Sequence, residues 1–378
     1  MPMTQDESTW WPFAGAGLIQ LNHGSFGACP QPVLEAQSRW RTRFQANPTG
    51  FVYEGLDEGW AKARQRLCAF VHTDEDGLVF VRNATEGVNA VLASYPFAQG
   101  DEILVTSHGY NACTNAAHKW GGGRGAVVKV ADIPFPVEHE DVVVECVLKA
   151  VTSRTKLVLI DHITSPTALV FPLGKIIPQL KQRGVDVLVD GAHAPGQITL
   201  DVLALGADFY TGNCHKWLCA PPGTAFLWVA EKWRERIDPL VVSHGWNSPQ
   251  MSENRLHRMF DYTGTGDWSG VLCLPELLDF LDTLHPGGHA GLMARNQALA
   301  LEARDILGWQ HVLENMIGAM VSTPWHKGSG AELRVRLLKE HNIMLWSGDW
   351  PPSKGWVMRL SAFAYNRRED YTRLLSAL

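Results

Sequence analysis

Short apolar runs at residues 102–106, 126–130, 156–160, 185–189 and 225–229 punctuate the middle of the chain, each of strand size. Helical patterns at 85–94, 141–152 and 173–183 lie beside or between them. Such alternation predicts parallel strands joined by helical crossovers, a doubly wound α/β sheet. An early helix is expected at 32–44. Beyond residue 275 the texture changes, with helical patterns at 277–284, 289–306 and 330–340 and a single late strand at 356–360. The organisation expected is an N-terminal segment (1–45) packing with the small domain, a large domain (46–270) with a mostly parallel sheet, and a smaller α+β C-terminal domain (271–378).

Composition narrows the function classes. The 378 residues are 46% hydrophobic and 19% charged, which suits a globular chain with a sizeable core and not a disordered one. With 33 basic and 39 acidic side chains the net charge is −6, and no Lys/Arg run accompanies it. A small-molecule partner is therefore expected, not nucleic acid. The apolar runs are too short to cross a bilayer, so no membrane association is expected. Residues 1–11 carry Asp6 and Glu7 and show neither the basic nor the apolar region of a signal peptide. Seven scattered cysteines, from Cys29 to Cys273, fit reduced thiols, and a cytoplasmic protein is expected. Cys214 and Cys219 have no second pair at ligand spacing, so no metal is expected. Gly15-Ala-Gly17 precedes any strand and lacks the setting of a nicotinamide site.

In an open parallel sheet ligands bind beyond the strand ends. Polar residues gather there in four places: Ser107-His-Gly-Tyr-Asn111, Asp161-His-Ile-Thr-Ser165, Asp190-Gly-Ala-His193 and Gly212-Asn-Cys-His-Lys216. Asp190 closes an apolar run. Lys216 is hemmed in by Trp217, Leu218 and Cys219, where a charged amine is costly, so its pKa should fall as befits a Schiff-base lysine. Pyridoxal phosphate requires such a lysine, a carboxylate for its ring nitrogen, a phosphate cradle and a ring-stacking plane. Asn83-Ala-Thr-Glu-Gly87 starts a helix directly after the apolar 78–81, and its free amides, with the Thr85 hydroxyl, suit a phosphate.

Taken with Leu21-Asn-His-Gly-Ser-Phe-Gly27, His215-Lys216 and Arg359-Leu-Ser-Ala-Phe-Ala-Tyr-Asn366, these stretches span nearly the whole chain in order. The sequence resembles the class V aminotransferase family of fold type I pyridoxal-phosphate enzymes, and within it the isopenicillin N epimerase-like branch. The resemblance implies pyridoxal 5'-phosphate as cofactor, with Lys216 as Schiff-base lysine and proton shuttle and Asp190 as partner of the ring nitrogen. It places Ser165 and His193 at the ring hydroxyl, and Ala84, Thr85, Asn213 and His215 at the phosphate. Thr265 resembles a residue that reaches the phosphate of a neighbouring subunit, which implies a homodimer. Both His108 and Tyr110 suit ring stacking, with the branch favouring Tyr110. Arg359 resembles the arginine that grips the substrate α-carboxylate, its planar fork suiting a bidentate contact. Asn22 and His23 are expected at the entrance to the same pocket.

The reaction is less narrowly set. Persulfide-forming desulfuration requires a mobile cysteine shortly before the carboxylate arginine, and residues 345–358 contain none. β-Elimination needs only Lys216 as acid and base, so a carbon–sulfur lyase acting on a cysteine-derived amino acid is the preferred expectation. Epimerisation or racemisation is the alternative and requires a second acid, for which Tyr110 or His23 is available. An aminotransferase and a non-catalytic binding module are the remaining readings, and the second is disfavoured by the joint presence of Lys216, Asp190 and Arg359. Trp346, Trp350 and Trp356 suit either a bulky or cationic substrate or plain packing.

Overall fold

A computed structural model describes residues 10–248, 252–350 and 355–378. Most of residues 1–11, read above for signal-peptide features, lies outside the described residues. The strands in chain order are β1 (Ile19–Gln20), β2 (Leu78–Val81), β3 (Glu102–Thr106), β4 (Val127–Ala131), β5 (Thr155–Asp161), β6 (Asp186–Asp190), β7 (Phe209–Asn213), β8 (Ala225–Val229), β9 (Met320–Trp325), β10 (Ile343–Met344), β11 (Trp346–Asp349) and β12 (Trp356–Ser361). Seven form one sheet in the order β2-β8-β7-β6-β5-β3-β4.

The inner strands β5 and β6 are apolar on both sides because both sides are covered. Along β5, Val158 and Ile160 enter one core and Leu157 and Leu159 the other. Along β6, Val187 and Val189 face the first and Leu188 the second, the period-two alternation of a strand. Helices Glu140–Ala150 and Leu173–Gln182 pack on one face, and Ala84–Ser94 and Asn111–Trp120 on the other.

The expectation of a parallel β8 is corrected, because it runs antiparallel to both β7 and β2. Residues 214–224 connect β7 to β8 without a crossover helix, and a strand that returns over a plain loop must reverse direction. That loop carries Lys216. β7 itself escapes a hydrophobicity reading because Thr211, Gly212 and Asn213 occupy its second half.

A single late strand was expected near the C-terminus, and the structure has an antiparallel three-stranded sheet, β11-β12-β9. Helices Gly288–Leu307 and Arg368–Ala377 contribute Leu299, Ala303, Tyr371 and Leu374 to its core, beside Val321, Met358 and Leu360. The N-terminal segment joins here. β1 pairs in parallel with β10, and Ser361 N–H donates to Leu21 O at 2.8 Å.

From that anchor the N-terminal segment crosses the Lys216 loop. Gly27 (φ 74°, ψ −173°) lies so close that a Cβ would meet His215 O at 2.0 Å and Lys216 O at 2.6 Å. Gly27→Ala combines a glycine-only backbone conformation with a clash against backbone, so a loss of at least roughly 1–3 kcal/mol is expected. Thermal or urea unfolding of the variant measures it, and an unchanged midpoint would show that the crossing yields freely.

Candidate active site

At the carboxyl ends of β5, β6 and β7 one pocket is lined by Ser25, Arg82, Asn83, Ala84, Thr85, Tyr110, Asp161, Ser165, Asp190, His193, Asn213, His215 and Lys216, among others. Its floor is made by chain direction. Asp161 and Asp190 terminate adjacent parallel strands in register, so both carboxyl groups emerge on the same edge.

Lys216 Nζ lies 3.0 Å from His193 Nε2. Burial, and next the positive charge of Arg359, lower its pKa to about 8, against the opposing pull of Asp190, Cys113 and Asp161. The fall expected from its apolar neighbours is present. His193 is held well below the usual imidazole range by burial and then by the charge of Lys216, so its ring is neutral. Trp217 Nε1–H points at His193 Nδ1 from 3.5 Å, which leaves Nε2–H to meet a neutral Lys216 amine.

Asp190 has two further neighbours. Its Oδ1 accepts the Ala192 amide at 3.0 Å, and its Oδ2 accepts the Cys113 thiol at 3.1 Å. At the opposite wall, Asn83 caps the helix Ala84–Ser94 by accepting the Glu86 amide, while Asn213 Oδ1 accepts Ala84 N–H at 2.8 Å. Thr85 stands on the first turn of that helix. His215 has a buried Nδ1 without a partner among the described residues, and burial lowers its pKa to about 4.

Arg359 extends from β12 and is only 2% exposed. One terminal nitrogen donates to Ser165 O and lies 3.3 Å from Ser165 Oγ; the other donates to Ser25 Oγ at 2.9 Å and approaches Asn22 Oδ1 at 3.4 Å. Its Nε is buried without a partner among the described residues. Its guanidinium sits 5.0 Å from the Trp346 ring, and burial lowers its pKa to about 10. Trp350 instead packs on His108 and Phe135.

Three expectations shift. His108 is not at the pocket: it is wholly buried, with Nδ1 2.7 Å from Thr167 Oγ1 and Nε2 3.2 Å from Ile133 O. Tyr110, 45% exposed, is the ring that lines it. His23 is not at the entrance but lies behind the lysine, stacked on Phe363 at 3.8 Å. A carbonyl can only accept, so His23 Nε2–H donates to Lys216 O (3.1 Å) and Nδ1 accepts from Tyr365 OH (2.9 Å). Burial lowers its pKa to about 3, which keeps the ring neutral and its proton fixed. Asn22 meets Arg359 and does not line the pocket. Thr265 lies in an adjoining hollow that shares Arg82 and Gly223 with the pocket. Ser25, Asp161 and Cys113 were not singled out from the sequence, although the first two stand inside the motif stretches quoted for the resemblance.

The family model for aminotransferase class V matches residues 27–374. The chain belongs to this family. Isopenicillin N epimerase of Amycolatopsis lactamdurans is 33% identical, the alignment covering 96% of this chain and 94% of that one. A protein of Oryza sativa subsp. japonica, provisionally named L-cysteine desulfhydrase 1, is 32% identical over 96% of this chain and 83% of its own. The fold also matches the cystine C–S lyase C-DES. Its complex with cysteine persulfide superposes with a TM-score of 0.83 at 21% identity, covering 96% of this chain and 98% of that one. Its form with glycine linked to a PLP cofactor gives a TM-score of 0.81 at 21% identity, with 97% of each chain covered.

A lysine lowered to about 8 is neutral, and nucleophilic, above that pH and an ammonium below it. Competitive acetylation followed by mass spectrometry should therefore give Lys216 a reactivity midpoint near pH 8. A midpoint at the ordinary lysine value would show that the amine is hydrated rather than buried.

Proposed function

We propose that this protein is a PLP-dependent carbon–sulfur lyase that carries out β-elimination on a cysteine-derived amino acid. The observation that carries this reading is that Lys216 stands in the pocket as a buried amine able to be neutral near neutral pH, while His23, one of the two candidates for a second acid, has both ring nitrogens engaged behind it. Elimination needs one acid–base group, and epimerisation needs two on opposite faces.

The donors fit the cofactor. The unpartnered His215 Nδ1, the Thr85 hydroxyl and the start of the helix Ala84–Ser94 suit a phosphate, Asp190 suits a ring nitrogen, and Tyr110 suits a ring face. When bound, the cofactor supplies an electron sink that makes the substrate Cα–H acidic. Lys216 takes that proton and returns it to the departing sulfur as the Cβ–S bond breaks. For cysteine the balance is cysteine plus water to pyruvate, ammonia and sulfide. Arg359, steadied by Ser165, Ser25 and Trp346 and with its Nε left unpartnered among the described residues, would hold the substrate carboxylate. Support from relatives comes from the desulfhydrase name carried by the rice protein and the C–S lyase named in the structural match.

Epimerisation is the second reading, favoured by the 33% identity to isopenicillin N epimerase, with the Tyr110 phenol as second acid. The same proposal includes a homodimer, supported by the hollow around Thr265 beside the pocket and by exposed Phe26, Tyr53 and Trp246. It includes a reducing, cytoplasmic setting, supported by seven free thiols.

The deciding experiment incubates the PLP-loaded protein with L-cysteine and S-substituted cysteines and assays pyruvate and sulfide. Keto-acid release is expected; α-deuterium wash-in without product would replace the lyase with the epimerase. Arg359→Lys should raise KM about tenfold or more with a smaller change in kcat, because a point charge replaces a planar fork. Steady-state kinetics checks this, and an unchanged KM would move the carboxylate site elsewhere.

A further inference from the structure

Asp161 plays no part in the chemistry set out above, yet it is 5% exposed, lines the pocket and stands beside Asp190. The two aspartates are register partners on β5 and β6, whose backbones run about 4.8 Å apart. Two carboxylates so close in a buried site are not both ionised at little cost. The segment after β3 docks on the pair at two points. The backbone amide of Tyr110 faces the Asp161 carboxyl, and three residues on, Cys113 donates its thiol to Asp190. Gly109 packs in the same turn: a Cβ there would be at ordinary contact distance, 3.7 Å, from Asp161 Oδ2 and crowded against Thr106 O at 3.1 Å.

We infer that Asp161 is a positioning residue: it holds the turn that presents Tyr110 to the pocket and stands beside Asp190 as an uncharged acid, not as a second anion. The inference rests on the reading of this pocket as the PLP site for its meaning in catalysis, though not for the protonation state it assigns. Burial, and then the charge of Asp190, raise the pKa of Asp161 well above the ordinary carboxyl range, against donation from backbone amides and the charge of Lys216. The titratable groups that face it are Asp190 from β6, His193 from the loop after β6, Lys216 from the loop after β7, and Tyr110 and Cys113 from the segment after β3. An uncharged Asp161 leaves Asp190 as the one anion for a ring nitrogen, and it links that anion to the turn that carries Tyr110. Both depend on one side chain.

The inference separates two substitutions. Asp161→Asn keeps an acceptor for the Tyr110 amide and is uncharged, so it should preserve the visible circular dichroism of the PLP-loaded enzyme and change kcat by no more than about threefold. Asp161→Ala removes the acceptor, so it should lose much of that dichroic band and about tenfold to a hundredfold in kcat, the scale of a misplacement near 1 Å. Retained dichroism in Asp161→Ala, or equal damage in both variants, would overturn the inference.

A third reading does not use the cofactor. An acid whose folded-state pKa is raised supports the fold while protonated and loses that support as pH rises through its folded value. Asp161→Asn cannot ionise, so its melting temperature should gain on wild type between pH 5 and pH 9, by roughly 1 °C for each 1 kcal/mol of relief. Parallel melting curves for the two proteins would overturn the uncharged state even if Asp161→Ala fails to fold. If wild type forms no visible band with PLP, the function reading fails while the melting comparison still decides Asp161.

Discussion

The burial of one amine organises this protein. Holding Lys216 as an ammonium at the ends of β6 and β7 has a net cost on the order of 3 kcal/mol, the free energy that corresponds to a pKa near 8 in place of 10.5. Burial is the largest part of that cost, Arg359 adds to it, and Asp190 reduces it. The result is a lysine that changes charge near neutral pH instead of remaining an ammonium. A base in that condition can take a proton from carbon and give it back, which an ordinary surface lysine does poorly.

The loop that bears this lysine is held by chain segments remote in sequence. Gly27 presses against His215 and Lys216 from one side, in a backbone conformation that only glycine adopts easily. His23, four residues earlier, donates to the Lys216 carbonyl and accepts from Tyr365, so the N-terminal strap, the lysine loop and the residues after β12 meet at one imidazole. Arg359 closes the same connection from the other side through Ser25 and Ser165. Three pieces of chain far apart in sequence are thereby held in one frame around Lys216 and Arg359.

Family membership leaves the reaction open, because relatives at similar identity carry the names of an epimerase and a desulfhydrase. One of the two candidates for the second acid of a two-acid reaction is out of position. His23 has its nitrogens committed behind Lys216, which leaves the Tyr110 phenol as the remaining candidate. The absence of cysteine from residues 345–358 argues in the same direction, away from sulfur relay and toward simple elimination.

Much of this was determined by sequence alone, wherever the physics is local. The strands β3, β5, β6 and β8 show themselves as apolar runs because both faces of the sheet are covered. Asp190 and Lys216 show themselves because a strand end exposes its next residues and because a lysine among Trp217, Leu218 and Cys219 must be costly. The tertiary structure alone decided the rest. β8 reverses because no crossover helix follows β7, and β7, β9 and β11 are too polar or too short to stand out from their surroundings. His108 and Tyr110 are equivalent in a linear reading, yet packing buries the first against Trp350 and leaves the second to the pocket. His23 stands behind the lysine, and Asp161 beside Asp190, because strands and straps distant in sequence arrive together. Spacing along a chain shows which element a residue ends, but burial and hydrogen bonding between remote segments decide which way its side chain faces and whether it carries charge.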